Sequence, residues 1–379
     1  MRGVDSGDSV MGECAHFGHF NNVLLRCVAL REAPVRGRRY LVIGLAGNGL
    51  KTLDLKGKVE MKKWMNLLVI GLVCFLGLPS PVSAQLKTVK IALTSKEILD
   101  NLPYFVGMRM GFFKEVGIDL DPSYFRGGGE VLRAVTSRAT DIGGSVAPSA
   151  VFIAVSKGER VKIVSANVAP LVGVVWLVKS DSPIKSIKDL KGKKVGYTSP
   201  GAVSETTIQY ILKAENLSKD VELVRAGTPG DNWMMVKNGV IDAGYHVAPG
   251  LYDLIAKKEA RILIRGTDYV KNYMQTCVAV MEDVVEKNPD MVRSLLKARA
   301  KAVKFIWDNP EKTVSIWADE LKLPIEATRL AHKDLPRTTY PVGAPRVEDL
   351  QGSMQEAIGT GAMKEPLDLK KVLDLRFLP

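Results

Sequence analysis

The chain repeats itself. Lys90-Ile91-Ala92-Leu93-Thr94-Ser95 returns as Lys194-Val195-Gly196-Tyr197-Thr198-Ser199, and Gly129-Glu130 with Val135 returns as Gly230-Asp231 with Val236. Thr140-Asp141-Ile142-Gly143 returns as Ile241-Asp242-Ala243-Gly244, and Lys157 with Glu159 as Lys257 with Glu259. The order is kept and the offset stays between 100 and 104 residues. Four matches in register constrain the fold more than any one motif, because a duplicated unit must be a structural unit. Around the repeat, β-rich runs (Val89–Ala92, Ile142–Gly143, Val161–Val164, Lys194–Thr198, Val221–Val224, Arg261–Ile264, Thr276–Met281) alternate with helical ones such as Pro103–Lys114, Pro148–Lys157 and Val203–Ala214. Such alternation predicts α/β lobes with largely parallel sheets. From Asn288 the pattern changes to helices begun by prolines at Pro289, Pro310 and Pro324, where a first turn tolerates them, followed by Val347–Thr360. The C-terminal third is expected to be helical and to cover a lobe.

Two lobes imply a cleft, and open parallel sheets bind ligands beyond the carboxyl ends of their strands. The repeat sets Thr94-Ser95 of one lobe opposite Thr198-Ser199 of the other, with Ser145 and His246 after the two Asp-x-Gly strands. Short hydroxyls suit an oxyanion or polar head group, and they also cap helices. Thr198–Glu205 reads as both, since the N–H groups at a helix start attract anions. Gly127-Gly128-Gly129-Glu130 offers the same in the first lobe. Tyr104, Trp176, Trp233, Tyr245 and Tyr273 are candidates to stack on a planar ligand, with core packing as the ordinary role for each. Tyr245-His246 stands out because it follows the Asp242-Ala243-Gly244 strand. The candidate binding residues are Thr94, Ser95, Tyr104, Gly128, Ser145, Thr198, Ser199, Ser204, Tyr245 and His246.

Residues 61–84 carry the order of a secretory signal: Lys62-Lys63, an apolar run from Leu67 to Leu78, and Val82-Ser83-Ala84 before the expected cleavage. The run is too short to span a bilayer. Such a signal is read at an N-terminus, so residues 1–60 are expected to be an upstream extension that is not translated. Cys14, His16, His19 and Cys27 match no standard zinc spacing. From Gln85 onward the net charge falls from +12 to +7, with charges interspersed and no Arg-rich arm, which argues against a nucleic-acid partner. Only Cys277 follows the cleavage point, so no intramolecular disulfide can form and the core alone must hold the fold. No metal or cofactor site is expected.

Pro103-Tyr104-Phe105-Val106 with Gly111–Leu120, Ala139–Gly143, Ser186–Gly196, and Asn288-Pro289-Asp290 with Val292 resemble the ABC-importer solute-binding proteins for nitrate, taurine, alkanesulfonates and thiamin pyrimidine precursors. The resemblance covers nearly all of the chain after residue 84. It implies an α/β, two-lobed periplasmic binding protein of type II, each lobe a mostly parallel sheet flanked by helices, with a helical C-terminus. By that pattern lobe 1 is 85–182 and 270–379, and lobe 2 is 183–269. It further implies an exported monomer that captures a small anionic or heteroaromatic metabolite and hands it to a permease in the inner membrane. The chain departs from the family's Gly-Ser/Thr pair at the second helix start, having Gly201-Ala202 with hydroxyls at Thr198, Ser199 and Ser204. Two alternatives stay open. One is an enzyme like the pyrimidine-precursor synthases of similar fold, disfavoured because their cysteine-rich motif is missing and no catalytic triad or paired carboxylates are legible. The other is a ligand sensor docking on a membrane receptor.

Overall fold

The computed structural model describes residues 86–379 and, ahead of them, the backbone of three strands: β1 (Ala29–Val35), β2 (Arg38–Leu45) and β3 (Asn48–Asp54). These pair in that order as an antiparallel sheet. The chain divides into two units, Met1–Ser83 and Ala84–Pro379. The expected export signal at 61–84 lies outside the described residues.

The second unit is built on two sheets of one design. The first runs in the order β5 (Ile118–Phe125), β4 (Lys87–Thr94), β6 (Ile142–Val146), β13 (Thr276–Met281) and β7 (Val161–Val168). β4 is parallel to β5 and β6, and β13 is antiparallel to both β6 and β7. The second sheet joins β10 (Glu222–Arg225) in parallel to β9 (Lys194–Tyr197), which meets the segment before β11 (Gly244–His246) through a parallel Val195–Ala243 bridge. β8 (Val175–Lys179) then lies antiparallel between β11 and β12 (Ala260–Arg265). The strand order and directions match one for one, as the repeat requires. The repeat-related aspartates also do the same work: Asp141 accepts the Lys90 N–H and Asp242 the Lys194 N–H, each at 2.9 Å.

β8 and β13 are exchanged, each entering its sheet antiparallel from the chain that serves the other. β8 joins the second sheet before residue 183, where the family resemblance starts that lobe. The alternating pattern marks neither β8, buried on both faces, nor β5, an edge strand that alternates about its proline.

The helices are α1 (Leu102–Arg109), α2 (Phe112–Glu115), α3 (Gly128–Thr136), α4 (Pro148–Ser156), α5 (Val203–Ala214), α6 (Pro229–Lys237), α7 (Gly250–Ala256), α8 (Gly266–Tyr269) and α9 (Glu282–Lys287). They are followed by α10 (Pro289–Asp308), α11 (Pro310–Leu321), α12 (Ile325–Asp334), α13 (Val347–Gly359) and α14 (Leu369–Val372). α10 buries Met291, Val292, Leu295, Leu296, Ala298, Ala302, Val303 and Ile306, a stripe at three- and four-residue spacing. That face packs on α1 and α2, burial worth about 1.5–3 kcal/mol for each large side chain. The helical cover reaches the second sheet too, since α12 meets α7 and α13 meets both α4 and α5. The Ser186–Gly192 segment, which carries part of the resemblance, is a local structural device. Asp189 accepts the N–H groups of Lys185 and Ser186 at 2.8 Å in a capping box, and Gly192 supplies the positive φ that ends the turn.

Where α13 crosses the second sheet's helix α5, Glu356 is fully buried and accepts hydrogen bonds from Tyr273 and from the Thr207 hydroxyl at 2.9 Å. Burial outweighs these bonds and raises its pKa from 4.5 to about 7. A raised carboxyl holds its proton in the folded state where the unfolded chain has released it, so its contribution is complete below pH 4.5 and is lost as pH rises through 7. The melting temperature is therefore expected to fall between pH 5 and 8, and Glu356→Gln should flatten that slope; an equal slope in wild type and variant contradicts the assignment.

Candidate functional site

Two glycine-bearing turns, one from each half of the repeat, face each other. Gly127–Gly129 opens α3, and Thr198–Ala202 leads into α5. They touch closely enough that a Cβ on Gly127 would stand 2.7 Å from Thr198 Oγ1 and 2.8 Å from Ala202 Cβ. A Cβ on Gly129 would fall on the Pro200 carbonyl oxygen and 2.7 Å from the Gly201 carbonyl carbon. Around this contact the halves are tied by Arg225 to Glu130 at 2.8 Å and by the Gly230 N–H, which donates to Glu97 at 2.8 Å.

Behind the contact lies a cavity of about 20 Å³. That is room for about one water molecule, so the cleft is closed. Thr94, Ile98, Asp100, Gly127, Gly128, Thr198, Ala202, Val203, Ser204, Tyr245, Gln275 and Thr276 line it. Among the described residues, the N–H groups of Gly128 and Gly129 at the start of α3, and of Val203 and Ser204 at the start of α5, have no hydrogen-bond partner. Four unpaired donors and two helix dipoles thus meet where the halves join, an arrangement that favours negative charge.

Five of the ten candidate residues form the wall: Thr94, Gly128, Thr198, Ser204 and Tyr245. Thr198 Oγ1 lies 2.8 Å from Ser204 Oγ, which also accepts the Thr198 N–H at 3.0 Å. Tyr245 packs edge-on against Trp176, whose indole N–H donates to the Gly196 carbonyl at 2.9 Å. Trp176 is therefore core.

The other five stand off the wall. Ser145 supports it from behind, accepting the Thr94 N–H at 2.7 Å. Ser95 and Ser199 are buried with hydroxyls that have no partner among the described residues. Tyr104 is fully buried, stacks on Phe113 and donates to the Gly144 carbonyl at 2.9 Å. His246 points away because neighbours on a strand face opposite sides of the sheet, and Tyr245 takes the cleft side. It packs over Gly250, its Nδ1 accepts the Val247 N–H at 3.0 Å, and burial pushes its pKa down to about 4. The ring is neutral at physiological pH.

Asp100, Gln275 and Thr276 are the polar wall residues that no sequence pattern singled out. Asp100 lies in the 3-10 turn Leu99–Asn101, and Gln275 leads into β13, the strand that returns from the second sheet. Gln275 donates to Asp100 Oδ1 at 2.9 Å, yet burial pushes the carboxyl up to about 7. Beneath it, Asn167 donates to the Asp100 carbonyl at 3.0 Å and to Thr276 Oγ1 at 3.2 Å. Arg299 holds Asn167 in turn, through its carbonyl at 2.7 Å and its Oδ1 at 3.1 Å.

Two lobes of equal topology that close over a polar cavity with one helix start from each define a ligand-binding cleft. The chain belongs to the NMT1/THI5-like family, whose model matches residues 99–313. It is 26% identical over 235 residues to 4-amino-5-hydroxymethyl-2-methylpyrimidine phosphate synthase of Saccharomyces cerevisiae, covering 58% of this chain and 67% of that protein. Among solved structures it is similar to the alkanesulfonate-binding protein SsuA from Xanthomonas axonopodis pv. citri, with a TM-score of 0.66 at 16% identity over 76% of this chain and 98% of that one. The periplasmic nitrate-binding protein NrtA from Synechocystis PCC 6803 gives 0.62 at 18% identity over 77% and 87%. The expected two-lobed periplasmic-binding-protein fold is thus borne out.

Proposed function

We propose that the chain is the exported substrate-binding component of an ABC-type importer and that it captures a small anionic or heteroaromatic metabolite between its lobes. One observation carries this reading: two helix starts, one from each lobe, meet at a single closed cavity, and Gly128, Val203 and Ser204, whose N–H groups are unpaired, stand in its wall. A site divided between lobes is complete only when they meet, so ligand binding and closure stabilise one another. The wall residues Thr94, Gly128, Thr198, Ser204 and Tyr245 bind the ligand, and Ser145 positions Thr94. Lobe 2 begins with β8 rather than at residue 183, runs to about residue 269, and is joined to lobe 1 by the segments leading into β8 and β13. That structural relatives are a periplasmic aliphatic sulphonate binding protein and a periplasmic nitrate-binding protein supports export and a permease partner.

The likeness to the yeast synthase favours an enzyme as the second reading. Against it, Cys277 is buried in β13 with its thiol pushed up by burial, and His246 faces away from the cavity. Neither is placed to act on a bound molecule. A thermal-shift screen of sulfonates, aromatic carboxylates, aminopyrimidines and nitrate tests the binding reading. A true ligand at 100 times its Kd should stabilise the fold by about 2.7 kcal/mol. Thr198→Ala combined with Ser204→Ala should lower its affinity at least about fivefold, two lost hydrogen bonds being worth roughly 1–3 kcal/mol. Unchanged affinity in that double variant sinks the site, and product formation from an aminopyrimidine precursor favours the enzyme.

A further inference from the structure

We infer that the ligand has two unlike ends: an acidic or acceptor end held at the helix starts and an N–H-donating end, ammonium or amino-heteroaromatic, held by Asp100. The inference rests on the reading of the inter-lobe cavity as the ligand site, and it makes Asp100 the residue that sets specificity.

Asp100 is 2% exposed and lines the cavity. No Lys, Arg or His among the described residues lies within 4.0 Å of its carboxylate. Arg299, the buried cation beneath it, is directed to Asn167 and to the Pro341 carbonyl. A carboxylate has about four acceptor positions. Gln275 fills one, and the Thr276 hydroxyl beside the carboxylate can fill a second. The remaining capacity adjoins the cavity, where Thr94 has its hydroxyl turned to Asn101 Oδ1 at 3.3 Å. A buried carboxylate without a counter-charge is costly. A donor on the ligand removes that cost, and only in the closed state, so it adds directly to the preference for closure. A fully anionic ligand would instead set its charge against Asp100. The same cavity therefore attracts negative charge at Gly128, Val203 and Ser204 and, where Asp100 is ionised, rejects it there.

Calorimetric titration of the full chain with matched probes tests this: taurine against propane-1-sulfonate, β-alanine against butanoate, and 4-aminopyrimidine against 4-methylpyrimidine. In at least one pair the amine should bind about tenfold or more tightly than its methyl counterpart, as for a hydrogen bond to a charged group. Asp100→Asn should bring that ratio to within about twofold while the variant keeps its circular dichroism and a cooperative melt. Should Asp100→Asn fail to fold, Asp100→Glu, which keeps the charge and moves it by one methylene, should reduce the ratio without abolishing it. Equal binding of both members, or a ratio unmoved by either variant, overturns the donor end and leaves the cleft standing. Binding of neither member of any pair, or binding undisturbed by Gly129→Ala, overturns the cleft reading and this inference with it.

Discussion

Gly129→Ala is expected to lower ligand affinity roughly 100-fold while leaving the unliganded protein as stable as before or slightly more so. Gly129 is the second residue of α3, and in a helix alanine is favoured over glycine by about 1 kcal/mol, so lobe 1 by itself has nothing to lose. The added methyl would meet the Pro200 carbonyl and stand 2.7 Å from the Gly201 carbonyl carbon, both backbone atoms of the opposite turn. Neither can move without shifting the start of α5, and overpacking of this kind costs about 1–3 kcal/mol. At the upper end that is a factor of about 100 in affinity. Calorimetry with a ligand from the screen reads the affinity, and small-angle scattering reads the shape. The variant should keep an expanded radius of gyration on adding ligand, whereas the wild type contracts. Wild-type affinity in Gly129→Ala would falsify the claim that the two turns must touch.

The second large effect is on stability. Arg299→Met is expected to destabilise the protein by about 3–5 kcal/mol, because it strips several acceptors in the interior of their donor. Arg299 is 1% exposed, and its guanidinium donates to Asn167 Oδ1, to the Asn167 carbonyl and, at 2.8 Å, to the Pro341 carbonyl. Methionine fills much of the volume but leaves the two buried Asn167 acceptors without a donor, each at a cost of about 1–3 kcal/mol, and the half-buried Pro341 carbonyl as well. The melting temperature should fall by roughly 10 °C, given about 2–4 °C per kcal/mol for a chain of this size. Lysine should not rescue it, since it lacks the planar fork that reaches three acceptors at once. Ligand affinity should fall as well, because Asn167 holds both the Asp100 carbonyl and Thr276 in the cavity wall. A melting temperature within 2–3 °C of wild type contradicts this account, since about 1 kcal/mol would then cover the whole loss.

The sequence by itself determined the architecture. Lys90 with Asp141 and Lys194 with Asp242 are legible as repeat partners, and in space they make the same hydrogen bond at the same place in two sheets. Helix starts, the Ser186 capping box and the proline-led C-terminal helices are local events, governed by neighbouring residues, and so can be read from neighbours. The contact of Gly127–Gly129 with Thr198–Ala202 did not follow from the repeat, which aligns Thr198-Ser199 with Thr94-Ser95 and Gly129 with Gly230, so the turns that meet across the cleft are not equivalent ones.

Only the tertiary structure decided which side chains enter it. Tyr245 and His246 are adjacent and both plausible, and the face each takes depends on α7 packing over one side of β11, where Gly250 leaves room for the imidazole ring. Asp100 and Gln275 are 175 residues apart and meet only because β13 returns from the second sheet to sit between β6 and β7. Periodicity reports which face of an element is apolar. It carries no information on which polar groups from separate elements converge, because that is set by how the finished sheets exchange strands and close.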